Sequence, residues 1–556
     1  MKRWKRKKPA GRQQMRTTES EKKQKKTRTL SDGFKPKYLI ASVCFALCFT
    51  FFLVTGGVIY DRDLLPNLTL LKESGKVFYL SPLIFLFVTG ILYFVFLLLE
   101  KKIPKFRFLP RFCQNPFVPA AVYFLWFGVV YLSYFPGTWC YDIIEQNRMA
   151  LGIVEVTRQH PPLHTLIWTL CRLAETASSG HLQAIVVYSV LQIICTSLLF
   201  GRVVYSVRKV MRNDIFVILT FLFFLLNPTF ALFSFSPTKD VWCMIFFVLS
   251  MVHVYEALIL KEERTGETLA RTALDLLLAC LFRNNVIYGL VLSGIVFAVL
   301  FRKHFKKILL FGAVIVIGFL LVDKALFGIM GFAGADTKEM LSVPIQQIGR
   351  AYTDHAGDFT NEELDGYDRY IGLEYAPYYC PHISDPLKKN FKTEEMKKDP
   401  GAFVSYWLKL GKKYPESYFL SYVSMYSPYW YVRSKSFDIY SVSPYVETFI
   451  TEDGEFSFQR KGFLPGLNAV FETVANRSEN PLLSRGLPLW ITLASLFFAV
   501  VFKRKKAVVI PTVCFCYLLT LFLGPLAVIR YALPVLALAP VLVFGLFNRE
   551  DSQKLQ

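Results

Sequence analysis

Apolar runs recur along this chain at 38–60, 77–99, 117–135, 182–207, 214–233, 241–260, 272–282, 286–300, 307–327, 486–502, 507–528 and 531–547. A stretch of about 20 such residues is the length that crosses a bilayer as a helix. The pattern predicts an all-α polytopic membrane protein with about 12 transmembrane helices. Composition agrees: 53% of residues are hydrophobic, 16% are aromatic, and the mean hydropathy of +0.37 is high for a soluble protein.

Basic clusters orient the predicted spans, because cytosolic loops carry the excess of Lys and Arg. Residues 2–37 hold 15 Lys and Arg against Glu19, Glu21 and Asp32, a net of +12. Segment 1–37 therefore reads as a basic, disordered cytosolic tail. No stacking platform accompanies this charge, so nucleic acid is not an expected partner; the lipid bilayer is. Lys101-Lys102, Arg208-Lys209, Arg302-Lys303 and Lys503-Arg504-Lys505-Lys506 mark further inner loops. The stretch 161–178 is apolar but carries His164, Arg172 and Glu175. If it crossed, Arg208 would face outward, so it is expected in the interface. Between 261 and 302 the crossings must be even. The short run 272–282 and the run 286–300 satisfy this as a hairpin. Both termini, including the tail 548–556, then lie in the cytosol. The chain divides into an N-terminal bundle (38–327), an extracytoplasmic α-rich insert (328–485) and C-terminal helices (486–547), with the outer loop 136–181 inside the first part.

Five polar islands fall on the outer side of this topology. Asp142 and Glu145 follow the third span, three residues apart and on one face if that stretch is helical. His160-Pro161-Pro162-Leu163-His164 opens the interfacial helix, where proline is tolerated. Lys239 and Asp240 lie in a short loop between spans, Arg283 and Asn284 at the hairpin turn, and Arg530 at the outer end of a late span. Each has a plain alternative: a solvated loop acid, a helix cap, or a cation reaching headgroups. Outward cations run against the usual charge bias, however, and a lipid-linked phosphate is a ligand they suit. Transfer from such a donor needs cations at the leaving phosphate and a base for the acceptor hydroxyl. Asp142 is the first candidate base and Glu145 the second. Lys239, Arg283 and Arg530 are candidate phosphate ligands. No cofactor is required by the sequence, although a divalent cation could bind through Asp142, Glu145 and the histidines. No nucleotide-binding or hydrolase motif occurs.

The layout resembles the GT-C superfamily of membrane glycosyltransferases, which use polyprenyl-phosphate sugars. The resemblance rests on Tyr141-Asp142 soon after an early span, the His160-Pro161-Pro162-Leu163 start of a juxtamembrane helix, Lys239-Asp240, and a large late outer segment. Together with Thr238-Lys239-Asp240, Phe282-Arg283-Asn284-Asn285 and Ser342–Arg350, these motifs also resemble an uncharacterised family of Gram-positive bacterial membrane proteins, over roughly residues 80–547. The resemblance implies a GT-C-like bundle in the bacterial cell membrane, a polyprenyl-phosphate-sugar donor, a cell-envelope acceptor and Asp142 as the required acid. The superfamily's paired acidic motif has no clear counterpart here. Two rivals stand beside this reading: a lipid or oligosaccharide transporter or flippase, which calls for polar residues and broken helices in mid-span, and a polymerase or ligase of lipid-linked glycans, which shares the outer site.

Overall fold

The computed structural model describes residues 34–101, 104, 106–109, 114–138, 141–178, 183–260, 265–434, 448–450, 457–459, 462–476 and 483–547. The basic tail up to residue 33 and the C-terminal tail 548–556 lie outside them. The described residues form two compact units, one within 1–51 and 79–102 and the other within 52–78 and 103–556.

In the first unit, the first half of α1 (Pro36–Arg62) meets the body of α2 (Lys76–Glu100). Tyr38 and Phe96 stack at 4.8 Å, and Lys35 and the Tyr38 hydroxyl both bond Glu100.

Among the described residues, the regular structure of the second unit is helical apart from a hairpin of two three-residue strands, Thr448–Ile450 and Ser457–Gln459. Its principal elements are α3 (Phe117–Ser133), α4 (Tyr141–Ala150), α5 (Pro162–Ala177), α6 (Ala184–Met211), α7 (Asp214–Leu226), α8 (Lys239–Leu260), α9 (Thr265–Phe282), α10 (Asn285–Leu300) and α11 (Phe305–Leu320). Then come α12 (Ser342–His355), α13 (Asn361–Tyr370), α14 (Pro400–Lys413), α15 (Pro415–Tyr426), α16 (Leu487–Val501), α17 (Val509–Leu521), α18 (Ile529–Ala537) and α19 (Ala539–Gly545). Among the described residues, five helical stretches are long and apolar enough to cross a membrane: α1, α2, α6, α8 and Arg302–Ile329, which contains α11. The last has only 11% of its most apolar window buried within the protein. An apolar helix so little covered by its own chain needs lipid around it.

Aromatic packing fixes the bundle. Phe200 of α6 stacks on Phe224 of α7 at 4.1 Å, with Tyr123, Phe127 and Phe230 edge-on around them. α6 approaches α3 closely because position 201 is glycine. A Cβ there would lie 2.3 Å from the Pro116 carbonyl oxygen.

Several expected spans have other bounds. The run 272–282, expected at half length, belongs to the 18-residue α9, because the polar stretch from Thr265 is helical as well. Arg271 and Glu267 brace that first part across i,i+4 at 2.6 Å. The expected 214–233 breaks after α7, where Asn227 caps Thr229 N at 3.0 Å and Pro228 supplies no N–H to continue the ladder. The expected 531–547 divides into α18 and α19 beside Pro540. Lys239 and Asp240 are not in a loop but form the first turn of α8.

Within 328–485, α12 to α15 enclose an apolar core of their own, around Ile345, Ile348, Tyr367, Phe403 and Leu410. A capping box, Thr360 with Glu363, starts α13. This α-rich segment is tied to the loop after α1. Arg350 bonds both Asp63 and Asp354, and the Ser424 hydroxyl donates to Asp63 at 2.5 Å.

Candidate functional site

Three of the polar islands are assembled by helix ends. Asp142 sits in the first turn of α4, where a carboxylate suits the positive end of the helix. The buried stripe of α4 runs through Ile143, Gln146, Asn147 and Met149, which sets Asp142 at its inner edge. Lys239 opens α8, and Arg530 is the second residue of α18. Their side chains meet: Lys239 Nζ lies 3.2 Å and Arg530 Nη1 3.4 Å from Asp142 Oδ2. Burial pushes the Asp142 carboxyl up, but Lys239 and Arg530 beside it outweigh that and hold it well below the usual carboxylate range.

A second carboxylate completes the cluster. Asp240 is fully buried and bonds Arg283, which follows the last residue of α9. Thr238 Oγ1 donates to Asp240 Oδ2 at 3.1 Å, and Arg530 Nε stands 3.7 Å from the same oxygen. Arg283 lies 3.8 Å above the Tyr531 ring and Arg530 lies 5.1 Å from it, so one aromatic face supports both guanidinium groups. Arg530 thus bridges the two carboxylates. Three cations against two carboxylates leave one net positive charge.

The histidines play different parts. His164 is fully buried, with Nδ1 2.7 Å from Gln146 Oε1 and Nε2 2.6 Å from the Tyr188 hydroxyl. Trp242 Nε1 donates to that hydroxyl at 2.7 Å. A neutral imidazole satisfies this network: Trp242 donates to Tyr188, Tyr188 to His164 Nε2, and His164 Nδ1–H to Gln146. Burial, with Lys239 nearby, favours that neutral form and pushes its pKa down to about 3. His160, just before α5, is lowered to about 4, by burial first and then by Lys239, with Asp142 acting the other way. His164 locks α4, α5, α6 and α8 together, while His160 stays within the electrostatic reach of the cluster.

Comparison with protein families gives one match, a family of unknown function designated DUF6020, over residues 152–556. The chain belongs to this family. No curated protein and no solved structure matches. The DUF6020 match takes in His160, His164, Lys239, Asp240, Arg283, Asn284 and Arg530, and begins ten residues after Asp142.

Two expected members stand apart from the cluster in this DUF6020 chain. The Glu145 side chain is 48% exposed and lies 3.6 Å from Arg148, because it falls on the outer edge of the α4 stripe. Asn284 is exposed at the turn between α9 and α10, where its side chain caps nothing. Among the described residues no group of three or more His, Cys, Asp or Glu could hold a metal ion, so the divalent cation considered from the sequence has no assembled ligand set. Sequence reasoning also missed Tyr188 and Trp242. A tyrosine hydroxyl inside the apolar run of α6 was the available sign for Tyr188, since a buried hydroxyl needs a partner.

Proposed function

We propose that this protein is a multi-pass glycosyltransferase of the bacterial cell membrane, with a GT-C-like bundle of about 12 spans and both termini in the cytosol. It moves a sugar from a polyprenyl-phosphate donor to a cell-envelope glycan, polymer or lipid at the outer face. The observation that carries this reading is the meeting of Lys239 and Arg530, from two separate helices, on the single carboxylate of Asp142.

That arrangement resolves a difficulty of roles. A carboxylate held between two cations is a weak base. A donor phosphate entering beside it draws Lys239 and Arg530 onto its own oxygens. Asp142 loses its stabilising partners and becomes more basic only once the donor is bound. It then takes the proton of the acceptor hydroxyl as that oxygen bonds the anomeric carbon. The bond from the anomeric carbon to the phosphate oxygen breaks with inversion, and polyprenyl phosphate leaves with its charge on Lys239 and Arg530. Arg283 is committed to the buried Asp240 and to Tyr531. Its part in this scheme is to fix Asp240, and through it Arg530, instead of holding phosphate directly. His160 is near enough to contact donor oxygens, His164 positions the loop, and the segment 328–485 selects the acceptor.

The test is transfer of radiolabelled sugar from polyprenyl-phosphate donors to an envelope fraction, with wild type and Asp142→Asn in parallel. Label transfer by the wild type, reduced by about 10²-fold or more in the variant, is the expected result. Equal transfer by both removes Asp142 from the mechanism. No transfer by either across several donor sugars transfers the weight to a flippase or transporter, or to a polymerase of larger lipid-linked glycans.

A further inference from the structure

A second polar constellation lies at the opposite ends of the helices that build the first site. On α6, Arg202 is 14 residues beyond Tyr188; on α8, Glu256 is 17 residues beyond Lys239; on α9, Arg271 is 12 residues before Arg283. At 1.5 Å per residue these separations are about 18–25 Å. There the helices surround a cavity of about 290 Å³, lined by Arg202, Lys209, His253, Glu256 and Arg271, with Pro116 and Tyr205 as uncharged walls.

The charges are arranged around one buried acid. Glu256, with its side chain 8% exposed, takes Arg202 Nη1 at 2.6 Å and Lys209 Nζ at 3.4 Å. Arg271 pairs with Glu267, at 2.6 Å, on the exposed surface of α9. Of the side chains that line the cavity, three are cationic and one is a carboxylate, and the lining His253 has Asp275 Oδ2 3.1 Å from its Nδ1. Arg202, Lys209 and Arg271 also keep 24%, 33% and 64% of their side-chain surface accessible. A cytosolic charge excess alone needs no cavity, and its cations spread over convex surface. Here they border one concavity, with guanidinium groups from both α6 and α9. An exposed i,i+4 pair such as Arg271 with Glu267 is weak, so Arg271 is free to exchange partners.

We infer that this cavity binds a phosphate-bearing anion, held by Arg202, Lys209 and Arg271 over the fixed base of Glu256. The cationic lining complements a phosphate-bearing anion, and guanidinium forks suit its paired oxygens. The chemistry is shared by an anionic lipid headgroup and a free phosphate. The inference is independent of the glycosyl-transfer reading.

The test uses the full-length protein in neutral detergent. Its thermal unfolding midpoint is titrated separately with inorganic phosphate and with phosphatidylglycerol, with phosphatidylcholine as the uncharged reference. A saturable rise is expected with at least one of the two anionic probes and none with phosphatidylcholine. A rise with phosphatidylglycerol alone identifies a headgroup; a rise with inorganic phosphate identifies a soluble group. In the Lys209→Gln, Arg271→Gln double variant, whose altered side chains are both partly exposed, half-saturation is expected to move about tenfold or more to higher concentration. The inference is overturned if neither anion gives a saturable rise, or if the double variant titrates like the wild type.

Discussion

Two kinds of cation share the candidate site, and substitution separates them. Arg283 neutralises Asp240, which is fully buried. Arg283→Gln leaves that carboxylate without its partner, and breaking a buried pair in this way costs about 3–5 kcal/mol. We expect this variant to lose much of its folded yield in detergent, measured by size-exclusion profile and unfolding midpoint. Lys239 holds Asp142 at 3.2 Å with both side chains partly accessible. Lys239→Gln should therefore keep the fold and lose donor affinity, with an activity loss that appears mainly in KM. The reverse pattern, a stable Arg283→Gln and an unfolded Lys239→Gln, would falsify the division of roles. His164 gives the pH dependence. Its folded pKa of about 3 lies below the ordinary 6.5, so the unfolded chain binds the extra proton more readily. Stability from this group is complete above pH 6.5 and falls as pH drops toward 3, by up to about 1.4 kcal/mol per pH unit. Asp142, also lowered, adds a loss of the same sign at more acidic pH, below the usual carboxylate range. Unfolding midpoints between pH 7 and 4.5 should decline in the wild type and flatten in a His164→Gln variant.

Contacts between elements depend on how closely two helix axes approach, which is where sequence patterns lose their reach. α6 lies against α3 because Gly201 leaves room for the Pro116 carbonyl and Ala120. Gly201→Ala puts a methyl into backbone that has little freedom to yield. We expect a loss of about 1–3 kcal/mol, read as a lower unfolding midpoint. A variant as stable as the wild type would mean that the crossing is looser than the structure indicates. The apolar runs and the five polar islands were readable in the sequence, because each is a local string with its own length or composition. The pairings among the islands were not. Arg530 and Asp142 are 388 positions apart, and only the placement of α18 against α4 brings them together. The same limit explains Glu145. Its spacing from Asp142 permits a shared face, but the burial of Ile143, Gln146 and Asn147 turns that face away from it. It also explains Asp240, a plausible cap by sequence, which becomes the buried partner of a residue on another helix. Proline breaks such as that beside Pro540 were underweighted because the apolar run continues through them.

At the scale of the whole second unit, the segment 328–485 has its own apolar core yet is not an independent appendage. Arg350 on α12, with its side chain only 7% exposed, bonds Asp354 on its own helix and Asp63 in the loop after α1. Arg350 Nη2 also reaches the Asp63 carbonyl at 3.2 Å, and Ser424 holds the same aspartate from α15. Asp63 therefore connects the early loop to two helices of the insert, through Arg350 on α12 and Ser424 on α15. The fork geometry of Arg350 matters, because it serves several acceptors at once where lysine would serve them as a point charge. If the insert governs acceptor access to the cluster around Asp142, loosening it should alter acceptor use before it alters the bundle. Arg350→Gln leaves two carboxylates short of a partner that is mostly buried, a loss of about 3 kcal/mol confined to this junction. Amide exchange measured across the intact variant should quicken in 342–426. The Phe200–Phe224 stack and the helices around it should keep wild-type protection. Uniform quickening of both regions would show instead that insert and bundle open as one unit, and unchanged exchange in both would show that the core of 342–426 holds the insert without Arg350.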